Sequence, residues 1–418
     1  MAFKDVEYTH TSSYTKYPTR WRDTRQAPFS RLRPVRKSII IAFILGLFYL
    51  THLHITYRRA LLSKYSPTIF PPTSSWDISN IPWNPSNSSL AGPILEHRKE
   101  WKRVGGGFEG DVFVFGEHVI KTFHISRSPL RNCVEGVRIP TEILAMYGLG
   151  GIGGAIREET DFLPMKDFFL EEGENEREKR WYIVMPYLPS GNLENLAKRL
   201  RGENLSHREL DSKFRASWNR MLSALGRMHE DGLCHDDVKM DNIFVADSHA
   251  GENGSHWILA DFGNVREIGH PYHKSRIWRE AGQIGDCRVN DVVRLVKGYV
   301  SFLRMASSGD GAEAFDEAFW EGRESWSRLY WAAVRDAVYE EGVVERLREK
   351  SEALPPLDGY EGFVKELREP WRFGGRFGSS GLERRTEMEL HRGIPLPEGK
   401  AKILGLASMF GKPTVKCR

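Results

Sequence analysis

From Val104 the chain runs Gly105-Gly106-Gly107-Phe108-Glu109-Gly110-Asp111-Val112, then Phe113-Val114-Phe115-Gly116-Glu117-His118-Val119-Ile120-Lys121. Gly105, Gly107, Gly110 and Val112 read as G-x-G-x-x-G-x-V, with apolar β-formers on both sides of Gly116 making a hairpin. Lacking Cβ atoms, such a loop lets backbone N–H groups come close to phosphate oxygens. Lys121, closing the next strand, would bring a point charge to an α/β-phosphate pair. A dinucleotide-binding turn would need a helix opening at the third glycine, and none opens at Gly110. A helical segment over Val134–Tyr147 carries Glu142 as the candidate partner that orients Lys121, with Glu135 as competitor.

A second group of reactive side chains follows a long amphipathic helix, Arg208–Glu230. It reads Gly232-Leu233-Cys234-His235-Asp236-Asp237-Val238-Lys239-Met240-Asp241-Asn242, and Asp261-Phe262-Gly263 stands behind the strand Trp257–Ala260. H-x-D-x-K-x-x-N followed by D-F-G, after a Gly-rich loop and a strand lysine in that order, resembles the protein kinase family. The resemblance runs from about Lys99 to Leu303 and fades beyond.

The resemblance implies an α+β, bilobal protein-kinase-like fold with a small β-rich lobe over 96–188 and a mostly helical lobe over 189–370. It implies ATP and Mg²⁺ as cofactors and a protein Ser/Thr hydroxyl as acceptor. Asp237 would accept the hydroxyl proton and align the attack, while Lys239 offsets charge on the phosphoryl group. Asp261 and the amide oxygen of Asn242 are hard ligands suited to Mg²⁺. Trp181–Leu188 is similar to the kinase hinge: Pro186 keeps a carbonyl and Leu188 an N–H for adenine, Met185 lines the pocket, and Asn192 reaches the ribose.

Three positions depart from the family pattern. Asp236 stands where kinases activated by loop phosphorylation carry Arg, and an acid cannot pair with a phosphate. No A-P-E follows Asp261-Phe262-Gly263; Trp278-Arg279-Glu280 is the nearest counterpart, ahead of a helix at Asp291–Leu295 similar to the one anchoring the catalytic loop. The C-terminal lobe looks reduced, with helices near Ala312–Lys350 and Tyr360–Leu367. Two other readings of the same residues are a nucleotide-binding pseudokinase, against which all five polar site residues stand, and a small-molecule or glycan kinase.

The remaining sequence bears on location. Ser38–Tyr57 holds 20 residues without Asp, Glu, Lys or Arg, enough for a helix across a hydrocarbon core of about 30 Å. Seven basic residues lie within 20 positions before it and three within 20 after, so the positive-inside rule leaves the N-terminus cytosolic and the body lumenal, a single-pass type II arrangement. A buried core helix or a cleaved signal peptide is the alternative. Sequons at Asn87, Asn204 and Asn253 are compatible with a lumenal body. Residues 58–95, rich in Pro, Ser and Asn, read as an extended stem. Net charge +4 divides into +6 over 1–37, −8 over 38–370 and +6 over 371–418. That pattern excludes a uniformly basic nucleic-acid-binding body and makes 371–418 a flexible basic tail, suited to acidic lipid or an acidic partner. Four cysteines, Cys133, Cys234, Cys287 and Cys417, are too few and scattered for a disulfide scaffold or a C-x-x-C metal site.

Overall fold

β-branched and aromatic residues alternate through 102–123 and 167–186, and they form an antiparallel sheet of five strands. These are β1 (Lys102–Gly106), β2 (Gly110–Phe115), β3 (His118–Phe123), β4 (Asp167–Glu171) and β5 (Arg180–Pro186), in the order β1-β2-β3-β5-β4. The computed structural model describes all residues except 1–31, 73–87, 108–109, 124–131, 135–138, 155, 158, 172–179, 247–254, 309–310, 337–341, 354–378, 395–397 and 407–418.

The period of two along β5 divides the sheet between two cores. Tyr182 and Val184 join Ile120 and Phe169 in a small outer core, closed by Ile94 of the helix Ala91–Glu96. Ile183 and Met185 face the main core, which the helices His207–Glu230 and Cys287–Ala306 fill with Phe214, Trp218, Met221, Leu295 and Tyr299. A capping box starts the first of these helices: Ser206 Oγ accepts from the Glu209 N–H while the Glu209 carboxylate accepts from the Ser206 N–H. The chain is thus a mixed α/β protein built on one five-stranded sheet and a set of helices.

The chain divides into a short unit, residues 1–53, and a large one, 54–418. Within the helix Leu32–Lys64, residues 37–64 are long and apolar enough to cross a membrane, and Ile39 to Leu50 are exposed.

Three expectations need correcting. The helix carrying Glu142 spans Thr141–Gly150 rather than Val134–Tyr147, because Pro140 fixes its N-cap and Val134 pairs with Thr68 as a bridge. The stem is not extended where it is described. Tyr57, Ala60, Leu61, Lys64 and Tyr65 repeat at three- and four-residue spacing and are buried, so the helix continues as an amphipathic one to Lys64. A domain boundary drawn at 57 divides that stripe between anchor and stem and hides it. The basic C-terminal segment also holds helices, Ser379–His391 and Gly399–Leu406, with Thr386, Leu390 and Ala401 buried. The helix expected over Tyr360–Leu367 and the Gly-rich stretch at 373–378 lie outside the described residues.

Candidate active site

β3 delivers Lys121 by register, opposite Val112 on β2 and Ile183 on β5. Its ammonium sits 2.7 Å from Glu142 Oε1 and 3.2 Å from Asp261 Oδ1. Glu142 is almost wholly buried in the first turn of its helix, so the pair is a charge-assisted contact in a low-dielectric setting. Glu135, the competing partner, lies outside the described residues.

The glycines divide the work among themselves. Gly107 N–H donates to the Gly110 carbonyl at 2.8 Å, closing the tip between β1 and β2, and Gly105 stands opposite Val112 next to a β-bulge. Gly110 has a packing role that the motif did not suggest: a Cβ there would fall 1.7 Å from the Thr122 carbonyl oxygen, so no larger residue fits against β3.

Asp237, Lys239 and Asn242 lie on the loop between Leu233–Cys234 and the strand Ile243–Ala246. The hairpin of that strand with His256–Leu259 pairs Ile243 with Leu259, and the Ala260 N–H donates to the Asn242 carbonyl at 2.8 Å. Asn242 and Asp261 therefore emerge at the same end of one hairpin. Asn242 Nδ2 donates to the Asp237 carbonyl at 2.8 Å, leaving its amide oxygen as the atom suited to a cation. Lys239 Nζ donates to Asp237 Oδ2 at 3.1 Å. Burial alone would lower the Lys239 ammonium, but Asp237, Asp261 and Asp241 outweigh it and hold the pKa above its ordinary value. Lys121 beside Asp261 pulls that carboxyl below the usual carboxylate range. Asp261 is thus an anion, and its carboxylate and the Asn242 amide oxygen are hard oxygens of the kind that would suit a magnesium ion.

The loop is held by its backbone. The Asp291 carboxylate, on the helix Cys287–Ala306, accepts from the N–H groups of His235 at 2.7 Å and Asp236 at 2.9 Å. Arg294, one turn on, donates to the Asp236 carbonyl. The Asp237 N–H donates to His235 Nδ1, so Nε2 carries the hydrogen and donates to the Ala260 carbonyl at 3.0 Å. Phe262 packs edge-on to His235 with ring centroids 5.5 Å apart. Asp236 and Asp261 occupy the left-handed backbone region, φ 63° and 60°, a conformation costing about 1–3 kcal/mol for a non-glycine residue and concentrated at functional sites.

At the β5 end, Met185 is buried in the main core, Pro186 is half-buried at the strand's last position, and Leu188 packs against the core's edge. Asn192, expected at a ribose, is bonded within the protein. Its Oδ1 accepts from the Asn195 N–H at 3.1 Å as the N-cap of Leu193–Leu200, and its Nδ2 donates to the Asp241 carbonyl at 3.3 Å.

Sequence reasoning missed the side chains beneath the loop. Asp236 Oδ2 accepts from Arg266 Nη1 at 3.0 Å and lies 2.9 Å from His273 Nε2, all three buried. Burial would raise the Asp236 carboxyl, but His273, Arg266 and Arg294 hold it well below the carboxylate range. It also missed the disulfide Cys234–Cys287, with Cα atoms 6.0 Å apart, which ties the residue before His235 to the helix bearing Asp291. Cys133 is disulfide-bonded too. Nothing in a separation of 53 positions signals that pairing.

Residues 164–282 match the family model described as protein kinase domain. The matched stretch includes Asp237, Lys239, Asn242 and Asp261, and it leaves Lys121 and Glu142, which the fold brings to Asp261, outside. No curated protein matches the chain significantly.

Proposed function

We propose, from the premise that this chain belongs to the protein kinase family, that it is an ATP- and Mg²⁺-dependent protein Ser/Thr kinase carried on a single membrane anchor. This rests on the match of residues 164–282 to a protein kinase domain, which makes the chain a phosphotransferase of kinase type. The observation that supports this reading is the chain of contacts Glu142–Lys121–Asp261: a lysine fixed by a buried carboxylate and set against the aspartate that we assign to the metal. Bound Mg²⁺ would screen charge between the phosphate oxygens and the carboxylates. Lys121 would hold the α/β-phosphates, Asp237 would take the acceptor hydroxyl proton, and Lys239 would steady the transferred group.

The same contacts favour turnover over the pseudokinase reading, since every polar residue the transfer needs is present and in reach of a partner. A bilobal arrangement, 96–188 and 189–370, is supported by all five strands of the sheet falling within 102–186 and the long helices His207–Glu230 and Cys287–Ala306 following them. The buried Cys234–Cys287 bridge supports a lumenal body, because disulfides persist in oxidising compartments and are rare in the cytosol. The basic residues before Ser38 favour the same topology.

The test is γ-phosphate transfer by the full chain in detergent micelles, against protein, peptide and glycan acceptors, beside Asp237→Asn. The variant should bind Mg·ATP as the parent does and lose transfer by at least about a hundredfold. Undiminished transfer would remove Asp237 from its role, and transfer to glycan alone would replace the protein acceptor.

A further inference from the structure

The segment that follows Asp261 does not stand on the catalytic loop alone. Residues 57–69, directly beyond the apolar segment, lie along it. Tyr57 Oη donates to the Glu280 carboxylate at 2.8 Å, at the far end of the segment. The Lys64 carbonyl accepts from Arg266 at 3.3 Å. Ser66 Oγ is 3.0 Å from His270 Nε2. Thr68 Oγ1 donates to the Val265 carbonyl at 3.2 Å, and the Ile69 N–H donates to Glu267 at 3.1 Å. Five contacts thus join the two segments: Tyr57 reaches the far end at Glu280, and residues 64–69 meet 265–270. Tyr57, Leu61, Lys64, Tyr65 and Thr68 are buried by them and by their neighbours.

Arg266 is the hub. Its guanidinium, 1% exposed, bonds the Lys64 carbonyl, Asp236, the Asn264 carbonyl and Asn132 Oδ1, and stacks on the Tyr272 ring with 4.8 Å to its centroid. It thereby links the 57–69 segment to the residue next to Asp237. A guanidinium suits this because its planar fork satisfies several acceptors at once, and an ammonium would not.

This arrangement takes the place that a phosphate would otherwise fill. Asp236 supplies the negative charge beneath the segment, and Arg266, Arg294 and His273 already surround it. A phosphoryl group carries about −1.5 to −2 charge and would have to displace Asp236 from those cations. Residues 262–280 include two hydroxyl side chains, Tyr272 and Ser275, and both are buried. Ser275 Oγ is committed as the N-cap of Arg276–Glu280.

We propose that residues 57–69 are a positioning strap built into the chain: they hold 264–280 and, through Arg266 and Asp236, the catalytic loop, so that catalysis needs no phosphorylation of that segment. Tyr57, Thr68 and Arg266 are positioning residues. The effect on turnover rests on the kinase reading; the strap's hold on 264–280 does not.

The experiment uses the full chain in detergent micelles and the variant Y57F/T68V, which deletes two hydroxyls while keeping the apolar bulk. Two readouts are taken, amide hydrogen exchange across 264–280 and steady-state transfer. Exchange there should quicken with β1–β3 unchanged, and kcat should fall about tenfold with KM for ATP within about twofold. Y57F/T68S, which returns one hydroxyl, should recover part of both. If the double variant does not fold, Thr68→Val alone carries the same expectation in smaller measure. Parental exchange over 264–280 overturns the strap, and faster exchange with parental kcat overturns its positioning role. Phosphate found on Tyr272 or Ser275 of the active parent overturns independence from phosphorylation. A parent that transfers no phosphate refutes the kinase reading alone, since the exchange result still decides the strap.

Discussion

Replacing Cys234 and Cys287 by alanine together should remove a large part of the margin that keeps the body folded. The two sulfurs close a loop across 53 sequence positions. In the chain-entropy treatment, a loop of that length restrains the unfolded ensemble by about 4 kcal/mol at 25 °C. Both side chains are fully buried, so the sulfurs lose packing as well. Against a typical margin of about 5–15 kcal/mol, the variant should be marginal near body temperature. For a body of this size, about 4 kcal/mol corresponds to a Tm lower by roughly 5–7 °C. Urea unfolding of parent and C234A/C287A, followed by tryptophan fluorescence, measures the difference, and alkylation of the unfolded, unreduced parent checks the bond itself. A loss below about 1 kcal/mol would refute the entropic account, and a parent whose Cys234 takes up the alkylating reagent would refute the bridge. The bridge also bears on chemistry, because Cys234 pairs with Arg266 between the short strands Leu233–Cys234 and Arg266–Glu267 and precedes His235 directly. Transfer by the variant should therefore fall even at temperatures where it stays folded.

Glu142→Gln leaves Lys121 with Asp261 as its charged partner, and losing a charge-assisted bond of about 1.5–3 kcal/mol should cut kcat/KM roughly ten- to a hundredfold, read from initial rates. His270, fully buried, is pushed down to about 3, first by burial and then by Arg266. Its Nδ1 accepts from the Tyr272 N–H, so a second proton has no place. A histidine depressed in the folded state stabilises above its unfolded pKa of about 6.5 and loses that stability as pH falls. The slope is about 1.4 kcal/mol per pH unit, or about 2 kcal/mol between pH 6.5 and 5. His273, raised by Asp236 against burial, works with the opposite sign, so the comparison is between parent and His270→Asn: urea midpoints at pH 7 and 5 should converge in the variant, and an unchanged pH slope would contradict the assignment. Asn204 is exposed in a left-handed turn just before the helix cap Ser206. Glycosidase treatment of the membrane-bound chain should increase its gel mobility by one glycan more than in Asn204→Gln, and equal shifts would count against a lumenal body.

The grouping of the candidate site residues was legible because it is local in sequence. Asp237, Lys239 and Asn242 fall within six positions, and a hairpin of short strands brings Asp261 beside them. Lys121 and Glu142 were legible one step less directly, since their approach depends on how a strand and a helix pack. What escaped depends on long-range geometry with no periodic trace: Arg266 reaching back to the Lys64 carbonyl across 202 positions, or Cys287 meeting Cys234. Asn192 has a structural role that the sequence reading left out. Asparagine is among the preferred N-cap residues, and its amide oxygen caps the helix opening at Leu193. Gly110 was read only for a loop's approach to phosphate, whereas its lack of a side chain serves the close approach of β2 to β3.

Charge composition misled in an instructive way. The excess of +6 over 371–418 suggests a tail seeking an acidic surface, yet several of its cations are already matched within the described fold. Lys400 lies 3.7 Å from Glu280 and over the Tyr57 ring, Lys402 pairs with Glu398, and Glu398 in turn takes Lys64 and the Tyr65 hydroxyl. Arg385 stacks on Trp320 at 4.9 Å. The −8 of the middle region supplies one of the partners, Glu280, so part of the tail's apparent polarity is an internal pairing seen with one half removed. Glu280 joins both ends of the chain: it accepts from Tyr57 of the strap, pairs with Arg276 on its own helix, and faces Lys400. A net charge counted by segment treats such residues as independent, whereas a folded carboxylate surrounded by three donors is held by all of them together.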